Sequence, residues 1–284
     1  MKKQTIYLII LLCSYSFQTS AQQKISIWSG LAPGTEDREN TEYWNEDSTS
    51  VREVFQPDLT IFLPAEPVKH ATAVLICPGG GYNQVVIKKE GYKLAKWLNE
   101  NNITAFVLKY RLDPKEALRD AQRAISFIRS RADEYNIDAN KIGVMGFSAG
   151  AHLSFNLCVN NSQKTYFDMA DSVSSRPDFF VGVYSSYRGI VDLSLEAIEN
   201  ATEDDNPNLP PTFLVHAGND TKAPVFGSVL LYLKLKKMGV PAELHVYEFG
   251  EHGFAIETNR GDKITSTVNS WKDRLLEWMK IKEF

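Results

Sequence analysis

Cysteine is scarce in this chain: three residues in 284, at Cys13, Cys77 and Cys158. No Cys/His set has zinc-ligand spacing, and no P-loop or G-x-G-x-x-G turn follows a strand, so no metal or other cofactor is expected. Positive charge is also short. The 31 Lys and Arg are outnumbered by 35 Asp and Glu, for a formal net charge of −4. That balance excludes nucleic acid and anionic membrane surfaces as partners. Long apolar runs are missing as well; Ile6 to Leu12 is too short to cross a bilayer. Internal repeats and low-complexity segments are absent.

The start of the chain reads as an address. Met1-Lys2-Lys3 is positive, Ile6 to Leu12 is apolar, and Thr19-Ser20-Ala21 is a small-residue cleavage site. Residues 1–21 are therefore expected to be a signal peptide cleaved after Ala21, which places the mature protein in the periplasm or outside the cell. Leu12 before Cys13 argues against a lipoprotein. Without Lys2 and Lys3 the 31 basic residues become 29 against 35 acidic, a net −6. Residues 22–54 are polar and turn-rich and are expected to be a surface-wrapping N-terminal extension, with residues 55–284 as one domain. Cys13 leaves with the signal. Cys77 ends a strand and Cys158 lies ~15 Å along a helix from Ser148, so two buried thiols are expected rather than a disulfide.

Strands and helices alternate along that domain. Asp58 to Leu63, Ala71 to Ile76, Ile103 to Tyr110, Lys141 to Met145, Phe179 to Tyr184, Pro211 to Ala217 and Ala242 to Tyr247 read as strands. Between them, Glu90 to Asn101 carries Leu94, Trp97 and Leu98 at helical spacing. Lys115 to Arg131 puts Leu118, Ala121, Ile125 and Ile128 on one face after the start signal Asp113-Pro114. Phe226 to Met238 is helical, and a last helix carries Ile264, Val268, Trp271, Leu275 and Trp278. The fold class is α/β: a mostly parallel central sheet with helices on both faces.

The chemistry sits where strands end. Gly146-Phe147-Ser148-Ala149-Gly150 follows a strand and opens a helix, which is the context of a nucleophile elbow. Asp220 follows the strand ending at Ala217, and His252 lies in Phe249-Gly250-Glu251-His252-Gly253-Phe254 beyond another. The order Ser148, Asp220, His252 is that of an α/β-hydrolase triad. A serine hydroxyl is a poor nucleophile at neutral pH, so His252 would act as general base and Asp220 would hold its tautomer. The oxyanion needs N–H donors, expected from Ala149 and from Gly80 and Gly81 in Cys77-Pro78-Gly79-Gly80-Gly81-Tyr82.

These segments, with Ala105 to Leu112, Asp120 to Ala124, Arg129 to Ala132, Ser175 to Asp178 and Leu214 to Thr221, resemble the acetylxylan-esterase-like α/β-hydrolases of the lipase/esterase superfamily. The resemblance spans about residues 55–280. It implies an α/β-hydrolase fold and a serine carboxylesterase that removes acetyl or other small acyl groups from carbohydrate such as acetylated xylan. Pro78 stands where histidine is usual in the oxyanion loop, Ala151 where a third glycine is frequent, and Ala223-Pro224 where Val-Pro is usual. Feruloyl or aryl esterase, prolyl-oligopeptidase-like peptidase and an inactive carbohydrate-binding relative remain alternatives. The expected partner is a small-molecule or oligosaccharide ester.

Other conspicuous residues read more plainly. His216 and His245 lie in strands and His70 in a polar loop, so structural roles are expected. His152 sits four residues along the helix from Ser148 and should point away from it. Asp192, Asp204 and Asp205 are rival acids in a solvated stretch. Tyr82 and Tyr187 are candidates to line a sugar site.

Overall fold

The computed structural model describes residues 23–66, 68–161, 173–206, 208–256 and 267–284. The signal segment, Cys13 and Ile264 lie outside them. Ten strands are present among the described residues: β1 (Gln23–Ser26), β2 (Tyr43–Trp44), β3 (Val51–Arg52), β4 (Asp58–Phe62), β5 (Ala71–Cys77), β6 (Thr104–Lys109), β7 (Ile137–Phe147), β8 (Phe180–Val183), β9 (Thr212–Ala217) and β10 (Ala242–Tyr247). Six α-helices accompany them: α1 (Lys93–Glu100), α2 (Pro114–Ser130), α3 (Ala149–Val159), α4 (Leu195–Glu199), α5 (Phe226–Lys237) and α6 (Trp271–Ile281).

Eight strands form one sheet in the order β1-β4-β6-β5-β7-β8-β9-β10. Both β1–β4 and β4–β6 pair antiparallel, and every pairing from β6 to β10 is parallel. Strands β5, β6, β8 and β9 are buried throughout, as a sheet covered on both faces requires. This is the α/β-hydrolase architecture the sequence predicts.

Helix α2 shows how local signals set an element. Asp113 caps it, its side chain accepting from the N–H groups of Lys115 and Glu116, and Pro114 occupies the first turn. The apolar stripe Ala117, Ala121, Ala124, Ile125 and Ile128 is fully buried. Three places depart from expectation. The predicted helix over 90–101 begins as a π-helical turn, Lys88–Tyr92, before α1 takes over. The acidic stretch 196–205 contains the short helix α4, although Asp192, Asp204 and Asp205 are exposed as expected. The extension 22–54 joins the fold instead of only wrapping it.

That extension is anchored by the family-like motifs. Asp120, with no exposed surface, takes a two-pronged grip from Arg111, Nε to Oδ2 at 2.9 Å and Nη2 to Oδ1 at 2.7 Å. Trp28 Nε1 donates to the same carboxylate at 3.1 Å, and Arg123 Nε donates to the Ile27 carbonyl at 2.8 Å. Arg111 also donates to the Pro33 carbonyl at 2.7 Å. Farther along, Arg129 clamps Asp178 at 2.7 Å, and that carboxylate accepts the Ile142 N–H at 2.9 Å, which fixes where β7 meets β8. Cys77 and Cys158 are buried free thiols, and burial pushes Cys77 up to about 12.

Candidate active site

Ser148 stands between β7 and α3 with φ 51° and ψ −121°, a conformation costly for a residue with a side chain. The surrounding contacts hold it there: its N–H donates to the Val183 carbonyl at 3.0 Å, and Ser185 Oγ donates to its carbonyl at 2.6 Å. The elbow is tight because α3 turns back onto the sheet at once. A Cβ on Gly146 would overlap the backbone of Gly150, and one on Gly150 would overlap the Cys77 carbonyl.

Three side chains from three loops meet at the carboxyl ends of the parallel strands. Ser148 Oγ lies 2.9 Å from His252 Nε2, and His252 Nδ1 lies 2.7 Å from Asp220 Oδ2. A carboxylate only accepts, so Nδ1 carries the proton and Nε2 is left to accept from the serine hydroxyl. Asp220 is 5% exposed. Its Oδ1 accepts the N–H groups of Lys222 and Ala223, both at 2.9 Å. Asn219, beside it, steers the histidine loop: its Oδ1 accepts the N–H of Gly250 at 3.0 Å and of Glu251 at 2.8 Å.

The glycine loop after β5 closes the other side. Gly80 at φ 135° and Gly81 at φ 65° take backbone conformations that L side chains rarely adopt. The Gly79 N–H is already committed to Glu90 Oε2 at 2.6 Å, so the loop's candidate oxyanion donors are Gly80 and Gly81, with Ala149 across from them. Tyr110 Oη donates to the Pro78 carbonyl at 2.5 Å, which ties the start of the loop to the end of β6. The extension reaches this loop too: Val51 and Val85 exchange two backbone bonds, at 3.0 and 2.8 Å.

Of the two tyrosines expected at a sugar site, one is at the loop and one is not. Tyr82 is half-buried at the loop's tip. Tyr187 is corrected: it is fully buried, its ring 5.4 Å from Phe155 and 6.3 Å from Phe180, and it belongs to the core under α3. Gly182 makes the room, because a Cβ there would overlap the Tyr187 hydroxyl.

Two histidines do more than expected. His152 bridges two loops: its Nδ1 is 3.0 Å from Tyr82 Oη and its Nε2 is 3.1 Å from the Arg188 carbonyl. The carbonyl can only accept, so Nε2 is protonated and Tyr82 donates to Nδ1. Burial lowers the His152 pKa, keeping this bridge neutral. His216, inside β9, lies behind the acid, with Nδ1 2.8 Å from Ser228 Oγ and Nε2 2.7 Å from the Ala223 carbonyl and 3.3 Å from Asp220 Oδ2. Burial lowers its pKa as well. The His152 contacts join segments distant in sequence and leave no mark in local spacing, whereas Asp220, Ala223 and Ser228 all follow His216 closely in the chain. His245 lies in β10 against Glu243, 2.7 Å away, and His70 is exposed.

Comparison with known proteins agrees with this architecture. The chain is 31% identical over 252 residues to endo-1,4-beta-xylanase B of Butyrivibrio fibrisolvens, covering 77% of this chain and 38% of that protein. It is 29% identical over 231 residues to acetylxylan esterase of Xylanibacter ruminicola, covering 75% and 47%. The chain thus spans less than half the length of these curated relatives. The crystal structure of an acetyl ester-xyloside bifunctional hydrolase from Caldicellulosiruptor lactoaceticus superposes with a TM-score of 0.72 at 28% identity, over 93% of this chain and 97% of that one. The BD-FAE family profile matches residues 59–208, more than half of the chain and including the elbow and the oxyanion loop. With an α/β-hydrolase sheet carrying those two features, the chain belongs to the BD-FAE family of α/β-hydrolases.

Proposed function

We propose that this protein is an exported serine carboxylesterase that removes acetyl or other small acyl groups from carbohydrate such as acetylated xylan. The observation that carries the reading is the continuous chain from Ser148 Oγ through His252 to Asp220, with links of 2.9 and 2.7 Å. His252 takes the serine proton through Nε2 as Ser148 Oγ attacks the ester carbonyl. Asp220 holds the imidazole by its Nδ1–H and stabilises the imidazolium. The N–H groups of Gly80, Gly81 and Ala149 receive the oxyanion, a contribution worth about 10²–10³ in rate for each such donor. His252 then gives its proton to the departing sugar oxygen. Water, deprotonated by His252, cleaves the acyl-enzyme to release the acid and restore Ser148.

Support for the substrate class comes from relatives whose names carry acetylxylan esterase, xylanase and acetyl ester-xyloside hydrolase. The positive start, apolar stretch and small-residue site before Gln22 support export to the periplasm or beyond. A fluorophosphonate probe should label the wild-type protein at one serine and leave Ser148→Ala unlabelled. The same variant should stay folded and lose roughly 10⁴-fold or more in kcat on acetyl esters. Near-wild-type turnover by folded Ser148→Ala would sink the reading.

A further inference from the structure

A buried acid stands behind the oxyanion loop. Glu90 is 6% exposed and lies in the π-helical turn Lys88–Tyr92. Such wide turns are rare and recur at functional sites. Its two oxygens do different work. Oε2 accepts the Gly79 N–H at 2.6 Å, and Oε1 accepts the Tyr184 hydroxyl at 2.9 Å. Burial raises the Glu90 pKa, while Gly79, Tyr184, Lys89 and His252 act against that rise. An uncharged acceptor would avoid the desolvation cost of an acid in this position.

Both partners of Glu90 belong to the site. A Cβ placed on Gly79 would lie 2.7 Å from Glu90 Oε2, 2.9 Å from Ser148 Cβ and 2.6 Å from the Phe147 carbonyl. The carboxylate, the glycine loop and the serine carbon therefore converge on one point. Tyr184 follows β8 with φ 42°, and its ring stands edge-on to the His252 imidazole at 5.1 Å and to Phe254 at 4.6 Å. One side chain thus touches the loop that carries Gly80 and Gly81 and, through a tyrosine, the wall against which His252 rests.

We propose that Glu90 is a positioning residue for ester hydrolysis, its carboxylate fixing the oxyanion loop at Gly79 and the His252 imidazole through Tyr184. This rests on the serine-esterase reading above. Misplacing a donor or a base by a fraction of an ångström weakens contacts made in the transition state more than those made to bound substrate. The signature is therefore a loss in kcat with KM held.

The test uses Glu90→Gln and Glu90→Leu in the full chain, with p-nitrophenyl acetate as substrate. Fluorophosphonate titration counts the competent serines, and thermal melting reports the fold. Glu90→Leu removes both acceptors and should lower kcat per titrated site by about 100-fold. Glu90→Gln keeps an acceptor for Gly79 and should recover about tenfold of that loss, with KM within about twofold in both. If the leucine variant fails to fold, the nearly isosteric glutamine variant carries the test, expected about tenfold below wild type in kcat. Unchanged kcat per titrated site in the folded variants, whatever their melting temperatures, would overturn the proposal, as would a rise in KM alone. A wild-type protein that neither reacts with the probe nor turns over would instead remove the esterase reading, and this inference with it.

Discussion

Asp220 is held from four directions, and one of its neighbours makes the protein sensitive to acid. His216 is fully buried and bonded at both ring nitrogens, with its pKa lowered from 6.5 by burial, against the pull of the Ala223 carbonyl and Asp220. Once unfolded, this histidine takes up a proton near pH 6.5 that the folded state refuses. The unfolded chain then binds more protons, so stability falls as the pH drops from about 6.5 towards the lower folded value and is fully present above 6.5. The slope contributed by one such group is at most about 1.4 kcal/mol per pH unit. Glu90 and Asp120, pushed up by burial, act in the opposite sense, but they do so equally in a His216 variant. Urea unfolding of wild type and His216→Gln at pH 7.5 and 5.5 isolates the term. The stability advantage of wild type should shrink on acidification, and a constant difference would show that His216 is not the group responsible.

Among the elements, the contact between α3 and the end of β5 sets the position of the elbow. Gly150 brings the first turn of α3 against the carbonyls of Cys77 and Pro78, and any Cβ there overlaps the Cys77 carbonyl. Backbone on backbone leaves no side chain to move aside. Gly150→Ala should therefore destabilise by about 1–3 kcal/mol and drag Ser148 with the helix. Gly30→Ala, where nothing lies within 4 Å, should stay within about 0.5 kcal/mol of wild type. Equal melting temperatures for the two would contradict the packing at the elbow. The G-x-S-x-G pattern made this contact legible, because its glycines, its strand and its helix are neighbours in sequence. Strands β5, β6 and β9 and helix α2 were legible for a similar reason, being apolar runs or stripes with clear boundaries. Strand β1 was not: Gln23, Lys24 and Ser26 carry little strand preference, and the segment is a strand only because β4 offers it an edge. The π-helical turn reads like any helix start, since nothing in Lys88–Tyr92 distinguishes a five-residue hydrogen bond from a four-residue one. Tyr187 was misread because an aromatic in a loop looks the same whether the chain folds it outward or under α3.

The whole molecule bears on which ester fits. The site opens at the carboxyl ends of the parallel strands, bordered by the glycine loop, by the Tyr82–His152–Arg188 bridge and by the chain after β8. From 185 to 206 that chain holds α4 and two short turns, at 187–190 and at Glu203–Asp205. Its exposed side chains are mostly charged, among them Arg188, Asp192, Glu196, Glu199, Glu203, Asp204 and Asp205, with Leu195 also exposed. A lipase needs a broad apolar surface to receive a long acyl chain, because each buried CH₂ contributes about 0.8 kcal/mol to binding. Over this charged stretch, lengthening the acyl chain adds bulk and little affinity, whereas a hydrated sugar chain can lie across it. Acetyl esters should accordingly be cleaved with a higher kcat/KM than octanoyl esters, by about 100-fold if six methylenes find no apolar wall and crowd the loop. Acetate should be released from acetylated xylo-oligosaccharides. A panel of acetyl, octanoyl and feruloyl esters decides the matter: preference for octanoyl would end the carbohydrate reading, and preference for feruloyl would keep Ser148, His252 and Asp220 in their roles while moving the substrate to an aromatic acid.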